Sequence, residues 1–469
     1  MRNHLRVFIC ILAFLIWPAV SIAQEDAGKE SGKVFNAKSF TLENGLQVVL
    51  VENHRAPIVS HMMWYRVGGA DDPLGHSGLA HMFEHIMFRG SENVLPGEYS
   101  KRIRALGGED NAFTSYDYTA YYANIASEYL EDVMRMEADR IQGLVIDEEE
   151  FTSEQKVVME ERRLRTDNDP RNRFYEQLGY NLYPHHPYGI PLIGWMSEIA
   201  DLTTEDAHDF YKEWYAPNNA ILVVSGDITL ERLKELAQKY YGPLIPQPHL
   251  DTPRERPPIA DFHGEYDVDY THARIQQPQL VRMVRVPSVR EDREMALALQ
   301  LLEDVLGSGS TTRLYKSLVV EQKLASEAGI SVNNATYDAG QAYLYATPRE
   351  GVSLEELNAA LLVELKEILE EGITEEEVAQ SKDRMIAQAV FAQDSVSGPA
   401  MIIGRGLTSG LTLDEIEYWV RDVQNITNEQ VNEAARRYLL PDPAHDLILT
   451  GYMKPEAPSE ESLPAEEAP

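Results

Sequence analysis

The chain has 469 residues, of which 76 are acidic and 42 are basic, and its formal net charge at pH 7 is −34. This length predicts two or more domains, and an apolar content of 43% is sufficient for sizeable hydrophobic cores. The negative charge argues against a nucleic acid or an anionic membrane as partner, because both present phosphate groups.

The first 23 residues have the pattern of a secretory signal peptide. A positively charged start precedes an apolar run over residues 7–20, which is short for a membrane-spanning helix. Cleavage after Ala23 would remove Cys10, the single cysteine, and would leave no stable membrane insertion; an uncleaved anchor is the alternative. The sequence therefore predicts export, to a bacterial periplasm rather than to the medium.

The next informative segment is GLAHMFEHIMF, residues 78–88, which predicts a helix because it lacks proline and is rich in helix formers. On a helix, His81 and His85 project from one face and Glu84 lies beside them. Two imidazoles at this spacing can bind one Zn²⁺ ion, and H-x-x-E-H inverts the H-E-x-x-H zinc-peptidase motif. The alternative is a surface helix that carries these residues by chance.

A catalytic zinc usually has three protein ligands and an open position for water, so the two histidines need a third ligand. The predicted helix EEEFTSEQKVVMEERRLR, residues 148–165, offers Glu154 and Glu161. These glutamates are seven residues apart and share one helix face. The alternative is that this acidic helix is only solvated.

The rest of the chain is predicted to form two domains, residues 24–245 and 265–453. Residues 246–264 are rich in proline and polar side chains and predict a linker, and the acidic, proline-rich residues 454–469 predict a disordered tail. Strand patterns interleave with long helices in each half. This mixture predicts an α+β fold in which each domain packs a mainly antiparallel sheet against helices.

The two halves also resemble each other, which predicts that they are homologous. Both end in a helix, a proline-containing turn and an apolar strand. Aligning the two copies places Gln388 opposite Glu161, Ser381 opposite Glu154, and apolar residues opposite both histidines. The second half therefore retains the scaffold without the metal-binding groups.

Four stretches resemble the pitrilysin/insulinase family of zinc metallopeptidases, which includes the mitochondrial processing peptidases: GLAHMFEHIMFRGS, LGGEDNAFTSYDYTAYYANI, HPYGIPLIG and NNAILVVSGD. The resemblance covers nearly the whole mature chain. Within the family, the chain is similar to a bacterial processing-peptidase-like member. This resemblance implies that His81, His85 and Glu161 bind one zinc ion per chain and that Glu84 is the catalytic base. Glu154 matches an acidic residue that supports the site.

The same resemblance implies an endopeptidase acting on peptides or unfolded polypeptides. Asn111, Ala112 and Phe113 match the family segment whose edge strand pairs with an extended peptide. The alternatives are a catalytically weak or structural subunit of a heteromeric peptidase complex, and a zinc-binding transport protein.

One departure from the family concerns an arginine and a tyrosine of the second half, which usually help to bind substrate. Val319 and Ser326 occupy those places here, and Arg313 and Tyr315 lie too early to replace them. The resemblance therefore implies a dimer, in which a homologous subunit carries the missing pair.

Overall fold

A computed structural model describes residues 32–252, 254–307 and 309–456. The predicted signal peptide, Cys10 and most of the predicted tail lie outside these residues. Within the described residues, none of the helices has both the length and the apolar character needed to cross a bilayer.

The first sheet is formed by strands from the first half of the chain. They are β1 (Lys38–Thr41), β2 (Gln47–Glu52), β3 (Ile58–Tyr65), β4 (Glu109–Thr114), β5 (Thr119–Ala126) and β6 (Ala220–Gly226). Their order is β1-β2-β6-β3-β5-β4, and only the β2–β6 pair is parallel. Strand β4 is therefore an edge strand, paired with β5 alone.

The second sheet is formed by strands from the second half. They are β7 (Gly264–His272), β8 (Gln279–Val286), β9 (Ala325–Asn333), β10 (Gly340–Pro348) and β11 (Leu447–Pro455). Their order is β7-β11-β8-β10-β9, and only the β11–β7 pair is parallel. The predicted α+β fold with mainly antiparallel sheets is confirmed.

Helices alternate with these strands in both halves. The first half contains α1 (Leu79–Ile86), α2 (Glu98–Ala105), α3 (Leu130–Gly143), α4 (Glu148–Arg162), α5 (Pro170–Leu182), α6 (Met196–Asp201), α7 (Thr204–Trp214) and α8 (Leu230–Tyr240). The second half contains α9 (Arg293–Gly307), α10 (Leu354–Glu371), α11 (Glu375–Ala392), α12 (Gly398–Thr408), α13 (Leu413–Glu417), α14 (Trp419–Asn425) and α15 (Asn428–Tyr438).

Each half contributes one helix to the sheet of the other half. Helix α5 packs Phe174 and Leu178 against the second sheet. Helix α12 packs against the first sheet, where Gly404 lies so close to Trp64 that an added Cβ would overlap the indole ring. Both faces of each sheet are therefore covered, and the two halves are interlocked.

Two arginines in the segment between the sheets bind carboxylates of both halves. Arg256 contacts Asp71 at 3.2 Å, Asp338 at 3.2 Å, and Asp117. Arg254 donates to the backbone carbonyl of Asp117 at 3.0 Å. Both guanidinium groups are buried, with 8% and 4% of the side chain exposed for Arg254 and Arg256. We call these five residues the linker cluster.

Candidate metal centre and active site

Helix α1 begins at a closely packed turn. Asp72 accepts hydrogen bonds from the backbone N–H groups of Gly78 at 2.7 Å and Ala80 at 2.8 Å, so a side chain satisfies the start of the helix. Gly78 has φ +89°, and a Cβ there would lie 2.5 Å from the carbonyl oxygen of Ile193. Glycine is required at this position because both the backbone angle and the close approach exclude a side chain.

Helix α1 and helix α4 bring together three side chains that could hold a metal ion. His81, His85 and Glu161 each offer one ligand atom, and these atoms all lie within 4.8 Å of one another. Glu161 Oε2 lies 3.5 Å from His85 Nε2 and 3.9 Å from His81 Nε2. His81 is buried and the other two are partly buried, so the group lies in a recess rather than on an open surface.

Glu154 lies seven residues before Glu161 on the same face of α4. It contacts the ring nitrogen of His85 that faces away from Glu161. Its Oε2 is 3.1 Å from His85 Nδ1, and its other oxygen pairs with Arg89. When Nδ1 donates to a carboxylate, Nε2 is left as the lone-pair nitrogen that faces Glu161. Glu154 is only 2% exposed, so its position is fixed by packing as well as by these two contacts.

The protonation equilibria reflect the same geometry. Burial lowers the pKa of His81 to about 4. Burial also acts to lower the pKa of His85, but the hydrogen bonds that its ring donates to the Glu154 and Glu161 carboxylates outweigh it and raise that pKa to about 9. The hydrogen bond with His85 lowers the pKa of Glu161, which favours its carboxylate form.

These side chains fit a zinc ion. Ligand atoms at ~2.1 Å from a tetrahedral metal lie about 3.4 Å apart, close to the observed separations of 3.5 and 3.9 Å. The donor set consists of two imidazoles and one carboxylate, and a second carboxylate contacts the far nitrogen of one imidazole. This arrangement is typical of catalytic zinc.

Glu84 lies between the two histidines on α1 and is not a member of the three-ligand group. Thr114, the last residue of β4, donates to Glu84 Oε2 at 2.7 Å. Burial raises the pKa of Glu84, and the Thr114 hydrogen bond partly offsets this effect. The hydrogen bond also joins the edge strand to the helix that carries the histidines.

Asn111, Ala112 and Phe113 lie on β4, opposite Tyr122, Tyr121 and Ala120 of β5. Because β4 pairs with β5 only, its second edge has no strand beside it among the described residues. The side chain of Asn111 accepts a hydrogen bond from the backbone N–H of Ala112 at 2.9 Å. The structure therefore places an unpaired strand edge next to Glu84.

Comparison with known families assigns both halves of the chain. A family model described as Insulinase (Peptidase family M16) matches residues 47–195, and one described as Peptidase M16 inactive domain matches residues 201–385. The zinc protease PqqE of Helicobacter pylori is 31% identical over 405 residues, which cover 84% of this chain and 86% of PqqE. The chain belongs to peptidase family M16.

Solved structures of M16 proteins have the same fold. A protease from Helicobacter pylori superimposes with a TM-score of 0.80 and 27% identity, covering 89% of this chain and 99% of that one. The periplasmic protease PqqL from Escherichia coli gives a TM-score of 0.73 at 19% identity, covering 89% of this chain but 47% of PqqL. This M16 chain therefore corresponds in fold to about half of PqqL.

In the second half of this M16 chain, the residues at or near the places of the expected arginine and tyrosine have other contacts. Val319 is buried in the second hydrophobic core, and the Ser326 hydroxyl donates to the carbonyl of Thr347 at 3.3 Å. Arg313 pairs with Glu377 at 2.6 Å. Within the described residues, none of these three side chains is free to replace the family's arginine and tyrosine.

Several supporting residues escaped the sequence analysis. Arg165 lies 2.8 Å from Glu161, and its i+4 spacing on a helix could have revealed the pair. Arg89, Thr114 and Asp72 reach the site from other segments, and no local pattern indicates those contacts. The α-helix also ends at Arg162, three residues before the predicted end, because the chain continues as a π-helical turn over Arg163–Asp167.

Proposed function

We propose that this chain is a zinc-dependent endopeptidase that hydrolyses peptides or unfolded polypeptides. The observation that carries the proposal is the convergence of His81, His85 and Glu161, with Glu84 between the two histidines. The name zinc protease, given to the relative PqqE, supports the same activity.

In this proposal His81, His85 and Glu161 hold one zinc ion per chain, and Glu154 supports the site by orienting His85. A zinc ion bound there supplies Lewis acidity, which polarises a carbonyl oxygen and lowers the pKa of a nearby water toward ~7. Arg165 contacts Glu161 Oε1, the carboxylate oxygen that does not face the two histidines.

Glu84 is the proposed general base. Its Oε2 accepts a hydrogen bond from Thr114, so Oε1 is the atom that takes a proton from the attacking water. The water oxygen bonds to the carbonyl carbon, the carbon–nitrogen bond then breaks, and Glu84 returns the proton to the departing amine nitrogen. The burial that raises the Glu84 pKa favours this proton uptake.

The edge of β4 is the proposed substrate platform. An extended peptide could add as a strand beside Asn111, Ala112 and Phe113, with backbone hydrogen bonds providing affinity. Such a peptide would displace the Asn111 side chain from the Ala112 N–H. Strand addition requires an extended substrate, which favours unfolded chains over folded proteins.

We also propose that the active assembly is a dimer, formed with a homologous subunit that carries the missing arginine and tyrosine. The burial of Val319 in the core and the hydrogen bond of Ser326 to Thr347 support this, as does the correspondence of the chain with about half of PqqL. The name of PqqL, a periplasmic protease, and the pattern of residues 1–23 favour a periplasmic location. The domain bounds 24–245 and 265–453 remain part of this proposal.

The alternative is a catalytically weak or structural subunit. The match of residues 201–385 to an M16 inactive domain is the observation that favours it. A homologous partner would then provide the working site, and zinc bound by this chain would be dispensable for cleavage.

The test measures zinc content and peptide cleavage in four matched variants. His81→Ala and Glu161→Gln should lose zinc and activity together. Glu84→Gln should retain zinc while its rate falls by about 10²–10⁴. Glu160→Gln is the control, because its side chain is 57% exposed and pairs only with Arg163.

Activity should be measured on a quenched-fluorescence peptide and on unfolded casein, with and without the homologous partner. A large rate gain on adding the partner, alongside a dimer in light scattering, supports the assembly. Near-normal turnover in Glu84→Gln would remove Glu84 from the mechanism. Unchanged cleavage by a complex that contains the His81→Ala chain would favour the structural-subunit alternative.

A further inference from the structure

A second recess lies mainly in the second half of the chain, and Val34 and Phe35 of the first half also line it. It is a cavity of about 380 Å³, within the ~300–1,000 Å³ typical of small-ligand sites. Its walls come mostly from α9, α11, α12, α13 and the start of α14, and they are mainly apolar, with Leu297, Met385, Ala389 and Trp419 among them. The Glu415 carboxylate of α13 also lines the cavity and accepts hydrogen bonds from the backbone and hydroxyl of Thr412.

This cavity shares one wall residue with the position of the metal centre in the first half, whereas Ala298 and Leu302, which the internal alignment sets opposite the two histidines, lie in the buried core. Helix α9 packs against α11 as α1 packs against α4, and Ser381 donates to the backbone carbonyl of Leu301 at 3.3 Å. In the internal alignment Ser381 corresponds to Glu154. Gln388, which corresponds to Glu161, lines the cavity. The duplication has therefore kept the helix pair while replacing the metal-binding groups, and the cavity lies beside that pair.

Two polar side chains in the cavity are uncommitted. Arg405 on α12 and Gln388 on α11 line it from exposed positions, and within the described part of the chain neither side chain has a hydrogen bond or ion pair. Arg293, the other arginine of the wall, is engaged by Asp422 at 3.0 Å and by the Glu415 carbonyl. Arg405 is therefore the cation available to a ligand.

We infer that this cavity binds the carboxyl terminus of a peptide whose last side chain is apolar. The apolar walls would take the side chain, and the planar guanidinium of Arg405 would pair with the carboxylate through two hydrogen bonds. The Gln388 amide would bond to the last peptide group. In a chain of net charge −34, an unpaired arginine beside an apolar recess favours an apolar anion.

The source of the ligand rests on the proposed function. Cleavage at the first-half site forms a new carboxyl terminus on each product, so the cavity would hold one end of a product or of a trimmed substrate. Binding itself requires no turnover and can be measured without it.

The experiment uses the full chain carrying Glu84→Gln, so that the probes are not consumed. The probe is an N-acetylated tetra-alanyl-leucine peptide, either as the free acid or as the C-terminal amide. Calorimetry gives the affinity, and the fluorescence of Trp419, which lines the cavity, reports occupancy. A Trp419→Phe variant shows which part of the fluorescence change comes from this residue.

The free acid should bind at least tenfold more tightly than the amide, and Arg405→Gln should remove that preference. Arg104→Gln is the matched control, an exposed arginine on α2 without a side-chain partner among the described residues. Ala389→Phe, which fills the cavity, should abolish binding of the leucine peptide. Because Arg405 has no partner to lose, its substitution should leave the melting temperature unchanged.

Equal affinity for acid and amide, or an unchanged affinity in Arg405→Gln, would overturn the inference. Tight binding of decanoate with no binding of the peptide acid would also overturn it, by assigning the cavity to a lipid carboxylate. If the wild-type chain and its assemblies cleave no peptide but the acid still binds through Arg405, the proposed function fails and this site stands. If peptides are cleaved but the acid does not bind through Arg405, the proposed function stands and this site fails.

Discussion

Replacing Arg256 with glutamine should strongly destabilise the protein, because this side chain joins the two halves through the linker cluster. Its guanidinium contacts three carboxylates, and Asp71 and Asp117 have only 3% and 2% of their side chains exposed. Breaking a buried ion pair by removing one partner costs about 3–5 kcal/mol, since the other charge stays buried. Arg254 remains nearby and offsets part of the loss, so we expect about 3 kcal/mol.

The assay is urea unfolding at neutral pH, with Arg232→Gln as the control. Arg232 also pairs with a carboxylate, Glu131, but it is 51% exposed, and such surface pairs contribute about 0–1 kcal/mol. A double variant with Asp71→Asn should lose less than the sum of the single losses, because the two changes remove one interaction. If Arg256→Gln lowers the free energy of unfolding no more than Arg232→Gln, the linker cluster does not stabilise the fold.

Three further predictions concern other positions. Burial lowers the pKa of His61 to about 3, so only the unfolded chain takes up a proton between pH 6.5 and 3. Stability should therefore fall as pH falls through that window, by at most about 1.4 kcal/mol per pH unit, and urea titrations of His61→Gln should show a flatter profile. Glu154→Gln should weaken zinc binding by about 10–100-fold in a chelator competition while retaining all three ligands, and unchanged affinity would exclude a supporting role. Gly78→Ala should lower the melting temperature more than Gly97→Ala, because both glycines have positive φ but only a Cβ at Gly78 meets another atom; equal losses would refute the close approach.

The local part of the site could be predicted because helical periodicity is a property of neighbouring residues. The spacing of His81, Glu84 and His85 already determines that they share one helix face, and the same reasoning places Glu154 and Glu161 together. The family resemblance supplied the pairing of the two helices, which no local pattern contains. Strands β2, β3 and β5 likewise interleave with helices, as the strand patterns of the first half predict.

The contacts that hold the site in place are long-range and could not be predicted. Thr114 reaches Glu84 across thirty positions of the chain, and Arg89 approaches Glu154 from beyond the end of α1. The segment containing Arg254 and Arg256 has the composition of a solvated linker, yet both side chains are buried. Composition indicates where a segment is polar, but only the folded chain shows whether its charges find buried partners.

The two copies of the fold place different side chains on corresponding helices. In the first half, α1 and α4 direct imidazoles and a carboxylate into a recess; in the second half, α9 and α11 contribute to an apolar cavity, at whose wall Arg405 has no side-chain partner among the described residues. The packing between the helices needs only apolar residues and small contacts such as that of Ser381 with Leu301. Metal-binding side chains are therefore not required for the fold, since burying them without a metal costs free energy that apolar residues avoid. Their presence in the first half is accordingly better explained by chemistry at that site than by any contribution to folding.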